Sequence, residues 1–394
     1  MIRQIETDSI YLDHAATTPV DPEVLGSMAP WFTQYFGNPS SIYQLGQQSR
    51  AALDAARGQC AAVLGCHPSE IVFTSGATES NNLALAGSVW AARERHPNGP
   101  APHIVTSAVE HHAVLHKAEW LESIGFGLTV VPVSSDGTVD PSDIERALRP
   151  ETALISVMYA NNETGAIQPI SELSAIAHAQ NIPFHTDAVQ AAGLLPIRVD
   201  ELGVDLLALS AHKFYGPKGV GLLYVRRGTP LSWQQLGGGQ ESGRRGGTEN
   251  VPLIVGMGAA LSLTERDRES YARDCAELRN QLFSEIDERV DGVTLNGPAL
   301  DSNRLANNLN LTLDGVQGET VLLNLDMAGI AASAGSACTT GNSQPSHVLK
   351  AMGYSDDRCR TSIRLTVGRC NDEDQIADAA ESVADAVLRI RQLA

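Results

Sequence analysis

Residues 71–94 read IVFTSGATESNNLALAGSVWAARE. Ile71 to Thr74 is a short apolar, β-branched run that suits a buried strand. Ser75-Gly76-Ala77-Thr78-Glu79 is a turn of small and polar residues that opens a helix, and residues 81–94 then carry a 3.6-residue period. A second apolar run follows at 103–106, and others stand at 128–133, 153–158, 183–186, 206–209 and 220–225, with a further periodic stretch at 141–148. Strand, helix and strand in repetition predict an α/β fold around a mostly parallel seven-stranded sheet. Ligands of such sheets gather at the carboxyl ends of the strands, and the polar residues of this chain cluster just after the apolar runs.

Beyond the Gly- and Arg-rich segment GGGQESGRRGGT (237–248) the pattern changes. A long helix is expected over about 251–290, then strand-like runs at 306–313 and 362–367. Asn371 reads as the N-cap of a C-terminal helix, with Asp372, Glu373 and Asp374 in its first turn. Ile376, Ala379, Val383, Val387 and Ile390 have the spacing of a face that packs on this second sheet. A smaller C-terminal α/β domain is therefore expected, packed closely on the first, since no repeat or low-complexity linker separates them.

Composition narrows the class. With 43% hydrophobic and 19% charged residues in 394, a globular chain is expected. The net charge of −18 opposes sequence-independent nucleic-acid binding, which needs Lys and Arg against phosphates. No apolar run approaches the ~20 residues that span a bilayer, and residues 1–9 lack the apolar core of a signal peptide. The six cysteines are scattered and form no CxxC pair, which suits a reduced, cytoplasmic protein with no membrane partner.

Chemistry gathers at a few places. Ser210-Ala211-His212-Lys213 follows a buried apolar run, where an amine is costly unless paired, deprotonated or covalently used. A Schiff-base lysine needs a phosphate cradle, a partner for a ring nitrogen and a face for the ring. The 73–79 turn offers backbone N–H groups and the Thr78 hydroxyl at a helix N-terminus. Asp187 ends the run before it and suits a protonated ring nitrogen, Gln190 lies three residues on, and His111 offers an imidazole to stack. Each has a plainer alternative: a snorkelling lysine, a capping aspartate, an ordinary strand–helix turn. His112 and His116 are four apart, but no HExxH glutamate or third ligand accompanies them, so no metal is assigned. Residues 331–341, AASAGSACTTG, suit an exposed segment whose Cys338 a ligand can reach.

Taken together, these segments resemble the cysteine desulfurases of the NifS/IscS type, within the class-V aminotransferases of fold type I. The resemblance runs from YLDHAATTP (11–19), FGNPSS (36–41), TSGATESNN (74–82) and EHHAVL (110–115) through NNETGAIQPI (161–170) and HTDAVQ (185–190). It continues in SAHKFYGPKGVG, GGGQESGRRGGTENVP, GSACTTGNSQPSHVLKAMG and SIRLTVGR, in family order along nearly the whole chain. It implies a pyridoxal 5'-phosphate-dependent transferase, with a large cofactor-binding domain over 15–256. Residues 1–14 and 257–394 would form the small domain, which carries the catalytic-cysteine loop at about 331–343. By the resemblance Lys213 carries the cofactor as a Schiff base, His111 stacks on it and moves a thiol proton, and Asp187 binds the pyridine nitrogen. Gln190 and Asn162 would contact the ring, Ala77, Thr78, Ser210 and His212 would hold the phosphate, and Thr248 would reach it from the other subunit of a homodimer. Arg364, with Asn162, would hold the carboxylate of L-cysteine. Cys338 would take the sulfur as a persulfide and pass it to an iron–sulfur scaffold or a thiolation protein, with cluster ligation by Cys338 left open. Selenocysteine lyase, cystine or cysteine C–S lyase and aminotransferase are rival reactions on the same scaffold, and an idle regulatory partner is a rival of another kind.

Overall fold

A computed structural model describes residues 9–334 and 345–393; Cys338 and its GSACTT segment lie outside the described residues. Twelve strands are described: β1 (Ile10–Tyr11), β2 (Ile71–Thr74), β3 (His103–Ser107), β4 (Gly127–Val131), β5 (Thr152–Ser156), β6 (Phe184–Asp187), β7 (Leu206–Ser210), β8 (Gly221–Val225), β9 (Val293–Leu295), β10 (Asn308–Leu313), β11 (Ile330–Ala331) and β12 (Ser362–Thr366). Seven make the central sheet in the order β2-β8-β7-β6-β5-β3-β4, parallel except for β8, which runs against both neighbours. Every residue of β2, β3, β6, β7 and β8 is buried, because helices cover both faces; this is why these strands read as continuous apolar runs rather than alternating ones. The edge strand β4 is half-exposed, and ends at Val131 rather than 133 because Pro132 has no N–H for the ladder.

A second core surrounds the antiparallel sheet β12-β10-β9 and the parallel pair β1-β11. The 39-residue helix Val251–Arg289 enters both cores: Ile254 to Leu263 pack in the first, Cys275 to Ile286 in the second. A division of the chain at residue 256 thus falls inside a continuous helix. The C-terminal helix Glu373–Leu393 buries Ile376, Ala379, Val383 and Val387 in the second core, together with inward residues of β10 and β12. Its cap lies one residue later than the sequence suggests. Asp372 Oδ1 accepts from Gln375 N at 3.0 Å, whereas Asn371 Oδ1 is taken by Gly368 N at 2.8 Å.

The Gly-rich segment 237–248 is pinned at its centre. Glu241, buried and at φ 47°, receives both Arg57 nitrogens at 2.6 and 2.8 Å and the Phe73 N–H at 3.1 Å. Truncating one partner of such a pair strands a charge, so the pair fixes the loop beside β2. Arg245 then pairs with Glu79 at 2.8 Å, in the first turn of the helix Ala77–Arg95.

Candidate active site

Because β8 is antiparallel to both β7 and β2, the carboxyl ends of β2, β3, β5, β6 and β7 share one edge of the sheet. A cavity of about 640 Å³ opens there. Lys213 enters it from the turn Ala211–Lys213 after β7, Asp187 from the end of β6, His111 from the segment after β3, and Asn162 from the segment after β5. Ala77, Thr78, Ser210 and His212 line one end, Gln190 another, and Arg364 reaches in from β12 of the second core. The fold thus brings ten of the twelve expected site residues into one pocket. Thr248 is not among its lining and stands exposed on its loop; Cys338 lies outside the described residues.

The geometry is specific. Lys213 Nζ donates to the carbonyls of Ala15 at 2.6 Å and Ala16 at 2.8 Å, while Gln190 Nε2 donates to Ala15 O at 3.0 Å. Asp187 Oδ2 accepts from Asn81 Nδ2 at 2.6 Å and Oδ1 from Val189 N at 3.0 Å in the turn that follows β6, so its carboxylate is fixed at the pocket wall. No side chain caps the 19-residue helix Ala77–Arg95, whose N-terminal turn lines the cavity. At Gly221 a Cβ would lie 2.7 Å from Gly76 Cα, so glycine there lets β8 run against the turn that shapes this end.

Burial sets the protonation states. His212 is pushed down to about 4, by burial first and then by the Lys213 charge. Burial also lowers His111, Lys213 adds to this, and Asp187 opposes it. His111 Nδ1 accepts from Ala113 N at 3.1 Å, so its neutral ring carries the hydrogen on Nε2. Arg364, 3% exposed in its side chain, pairs with Asp13 Oδ1 at 2.7 Å and donates to Asn162 O at 2.9 Å. Its Nε has no hydrogen-bond partner among the described residues.

Several participants were not singled out from the sequence. Asp13 and the carbonyls of Ala15 and Ala16 belong to the YLDHAATTP segment, which carried family likeness but no assigned role. Backbone carbonyls leave no signature in side-chain chemistry. Glu163 lines the pocket too; burial raises its pKa, and Ser346 Oγ donates to it at 2.5 Å. Ser333 exchanges backbone hydrogen bonds with Arg364, so the described residues on both sides of the Cys338 segment are tied to the walls of the pocket.

Glu110 is buried beside the site, accepting from Ser107 Oγ at 2.7 Å and Met158 N at 2.8 Å, and burial lifts its pKa from 4.5 to about 8. Its folded-state pKa exceeds the unfolded one, so its contribution to stability is fully present below about pH 4.5 and lost as pH rises through about 8. Glu110→Gln, which keeps the neutral shape, should match the wild type near pH 4.5 and grow progressively more stable relative to it up to pH 8. Thermal melts of both proteins across that range check this; a constant difference would contradict it.

Taken as a whole, the fold and pocket are those of a family. The chain belongs to the class-V aminotransferases: it matches the family Aminotransferase class-V over residues 10–378. It is similar in particular to proteins named cysteine desulfurase IscS, from Dictyoglomus turgidum (49% identical, covering 91% of this chain and 89% of that one) and from Methanosarcina thermophila (46%, covering 98% and 94%). Among solved structures it resembles a NifS-like protein, with a TM-score of 0.88 at 35% identity over 96% of this chain and 98% of that one. It also resembles SspA in complex with cysteine, with a TM-score of 0.80 at 38% identity over 91% and 99%.

Proposed function

We propose that this chain is a cysteine desulfurase that converts L-cysteine to L-alanine with pyridoxal 5'-phosphate as cofactor and leaves the sulfur as a persulfide on Cys338. One observation carries it: an amine (Lys213), a fixed carboxylate (Asp187) and a buried guanidinium (Arg364) face one pocket whose end is an uncapped helix N-terminus. This donor set fits the cofactor. Lys213 would hold its aldehyde carbon, Asp187 its ring nitrogen and His111 its face. Gln190 and Asn162 would flank the ring, and Ala77, Thr78, Ser210 and His212 would take its phosphate. When bound, the cofactor supplies an electron sink for the bonds at the substrate Cα.

The chain's own residues do the rest. Arg364, with Asn162 beside it, binds the substrate carboxylate. Lys213 Nζ takes the Cα proton and, after the C–S bond has broken, returns a proton to Cα, with the Ala15 and Ala16 carbonyls fixing its position. His111 offers Nε2–H to sulfur, since Nδ1 is engaged by Ala113. The Cys338 thiolate forms the S–S bond as the substrate Cβ–S bond breaks; the electron pair passes to Cβ, which is protonated to the methyl of alanine.

The functional unit is a homodimer, in which Thr248 completes the phosphate end of the partner's pocket. Support comes from exposed apolar side chains within residues 32–43, among them Phe32, Phe36, Ile42 and Tyr43, and from Leu236, 82% exposed, on the loop that leads to Thr248. The sulfur passes to an acceptor protein, an iron–sulfur scaffold or thiolation protein, in the cytoplasm; no helix among the described residues is long and apolar enough to cross a membrane.

Purified protein supplied with L-cysteine and no reductant tests this. Alanine should accumulate, and the peptide containing Cys338 should gain the mass of one sulfur. Pyruvate or free sulfide without labelled Cys338 would instead assign the chain to the C–S lyases.

A further inference from the structure

Arg364 is held by a neighbour that belongs to neither the cofactor site nor the substrate. Asp13 forms a parallel bridge with Thr366, two residues along β12 from Arg364, so the backbone itself sets the two side chains next to each other. Its own position is fixed further: Asp13 O accepts from Tyr11 Oη at 3.0 Å and from Ala16 N at 2.9 Å. Asp13 Oδ1 then takes Arg364 Nη2 at 2.7 Å, and the Asn162 carbonyl takes Nη1 at 2.9 Å. These two bonds fix the plane of the guanidinium at two of its three nitrogens. The third, Nε, is buried without a partner among the described residues. Nη1 and Nη2 each keep a second N–H, and Arg364 lines the pocket, so the pinned guanidinium can present donors to an acceptor there.

We propose that Asp13 is a positioning residue for substrate: its carboxylate locks Arg364 in the pose that receives the amino-acid carboxylate, and its charge limits how tightly that carboxylate is kept. The inference rests on the reading of Arg364 as the carboxylate-binding group. Two opposed effects follow from one side chain. The hydrogen bond orients the guanidinium, which lowers the cost of binding a carboxylate. The negative charge beside the guanidinium competes with the incoming carboxylate and so weakens retention of both cysteine and the alanine product. Asp13 is partly exposed, 18% in its side chain, while Arg364 is nearly fully buried, so screening by water falls on the aspartate side of the pair.

Asp13→Asn and Asp13→Ala separate the two effects. The asparagine amide oxygen still accepts from Arg364 Nη2 but carries no charge. On cofactor-loaded enzyme, Asp13→Ala should raise KM for L-cysteine by about tenfold with kcat changed much less, the signature of lost uniform binding. Asp13→Asn should keep KM at or below the wild-type value and should bind L-alanine more tightly by calorimetry. Cofactor content and thermal melting of each variant show that the fold is retained. An Asp13→Ala enzyme with wild-type KM, or an Asp13→Asn enzyme as impaired as Asp13→Ala, overturns the positioning role. Arg364→Ala is the control on the underlying reading: if it leaves KM and alanine binding unchanged, Arg364 does not bind the carboxylate and the inference falls with it. If Arg364→Ala is impaired while both Asp13 variants behave as wild type, the inference alone fails.

Discussion

Cys338→Ala will retain bound cofactor and will still bind L-cysteine, but alanine formation will fall by about 10³-fold or more, and no persulfide will appear on the protein. The first half follows from position: apart from Thr248, every group expected to hold cofactor or the substrate carboxylate lies in the pocket that Lys213, Asp187, Ser210 and Arg364 line, and none of them is Cys338. The second half follows from the other thiols. Sulfur attack requires a thiolate, and burial pushes Cys60, Cys66 and Cys275 up to about 12. It raises Cys359 and Cys370 as well. None of the five lines the pocket, and burial disfavours the thiolate of each, so none is expected to stand in for Cys338. The measurement is alanine released per enzyme, with whole-protein mass before and after L-cysteine. Turnover at the wild-type rate in Cys338→Ala would remove the persulfide step and favour a lyase.

What the sequence made legible follows from where the information sits. The central strands announced themselves because strands buried on both faces must be apolar throughout. The carboxyl-edge site was legible for the same reason, since each polar residue that follows such a run stands out. The helix Ala77–Arg95 begins four residues before its periodic stretch, because its first turn is spent on the Ser75–Glu79 end of the pocket rather than on the core. The long helix Gln44–Leu64 is faint in the sequence: its buried face relies on Gly46, Ser49, Ala56, Cys60 and Ala61 as much as on Leu53 and Leu64, so its apolar stripe is weak. Asp13 and the Ala15 and Ala16 carbonyls were illegible for a different reason. They act across nearly 200 residues or more, through a bridge to Thr366 and bonds to Lys213, and nothing local in YLDHAATTP marks them for it. Thr248 remains apart from the pocket of its own chain.

Lys213 is fixed by two backbone carbonyls. Lys213→Ala will lose the borohydride-reducible link between protein and cofactor, and alanine formation will drop by about 10²–10⁴-fold, the range over which a positioned acid–base group acts. The pocket contains a second amine, Lys218, which makes the experiment discriminating. Lys213 sits on the turn directly after β7, and its Nζ is held 2.6 and 2.8 Å from the carbonyls of Ala15 and Ala16. Those bonds tie it to the same N-terminal strap that carries Asp13, so the Lys213 amine and the Arg364 guanidinium share one support. Reduction of the wild-type enzyme followed by peptide mass analysis should place the pyridoxyl group on the Lys213 peptide and leave Lys218 unmodified. Noncovalent cofactor should persist in Lys213→Ala, because the Asp187 carboxylate and the N-terminal turn at Ala77 and Thr78 are untouched by the substitution. A reducible link moved to Lys218 with turnover preserved would assign the chemistry to that amine. Loss of turnover with cofactor still bound would instead separate the two duties of Lys213, covalent capture and proton transfer, from the binding done by the rest of the pocket.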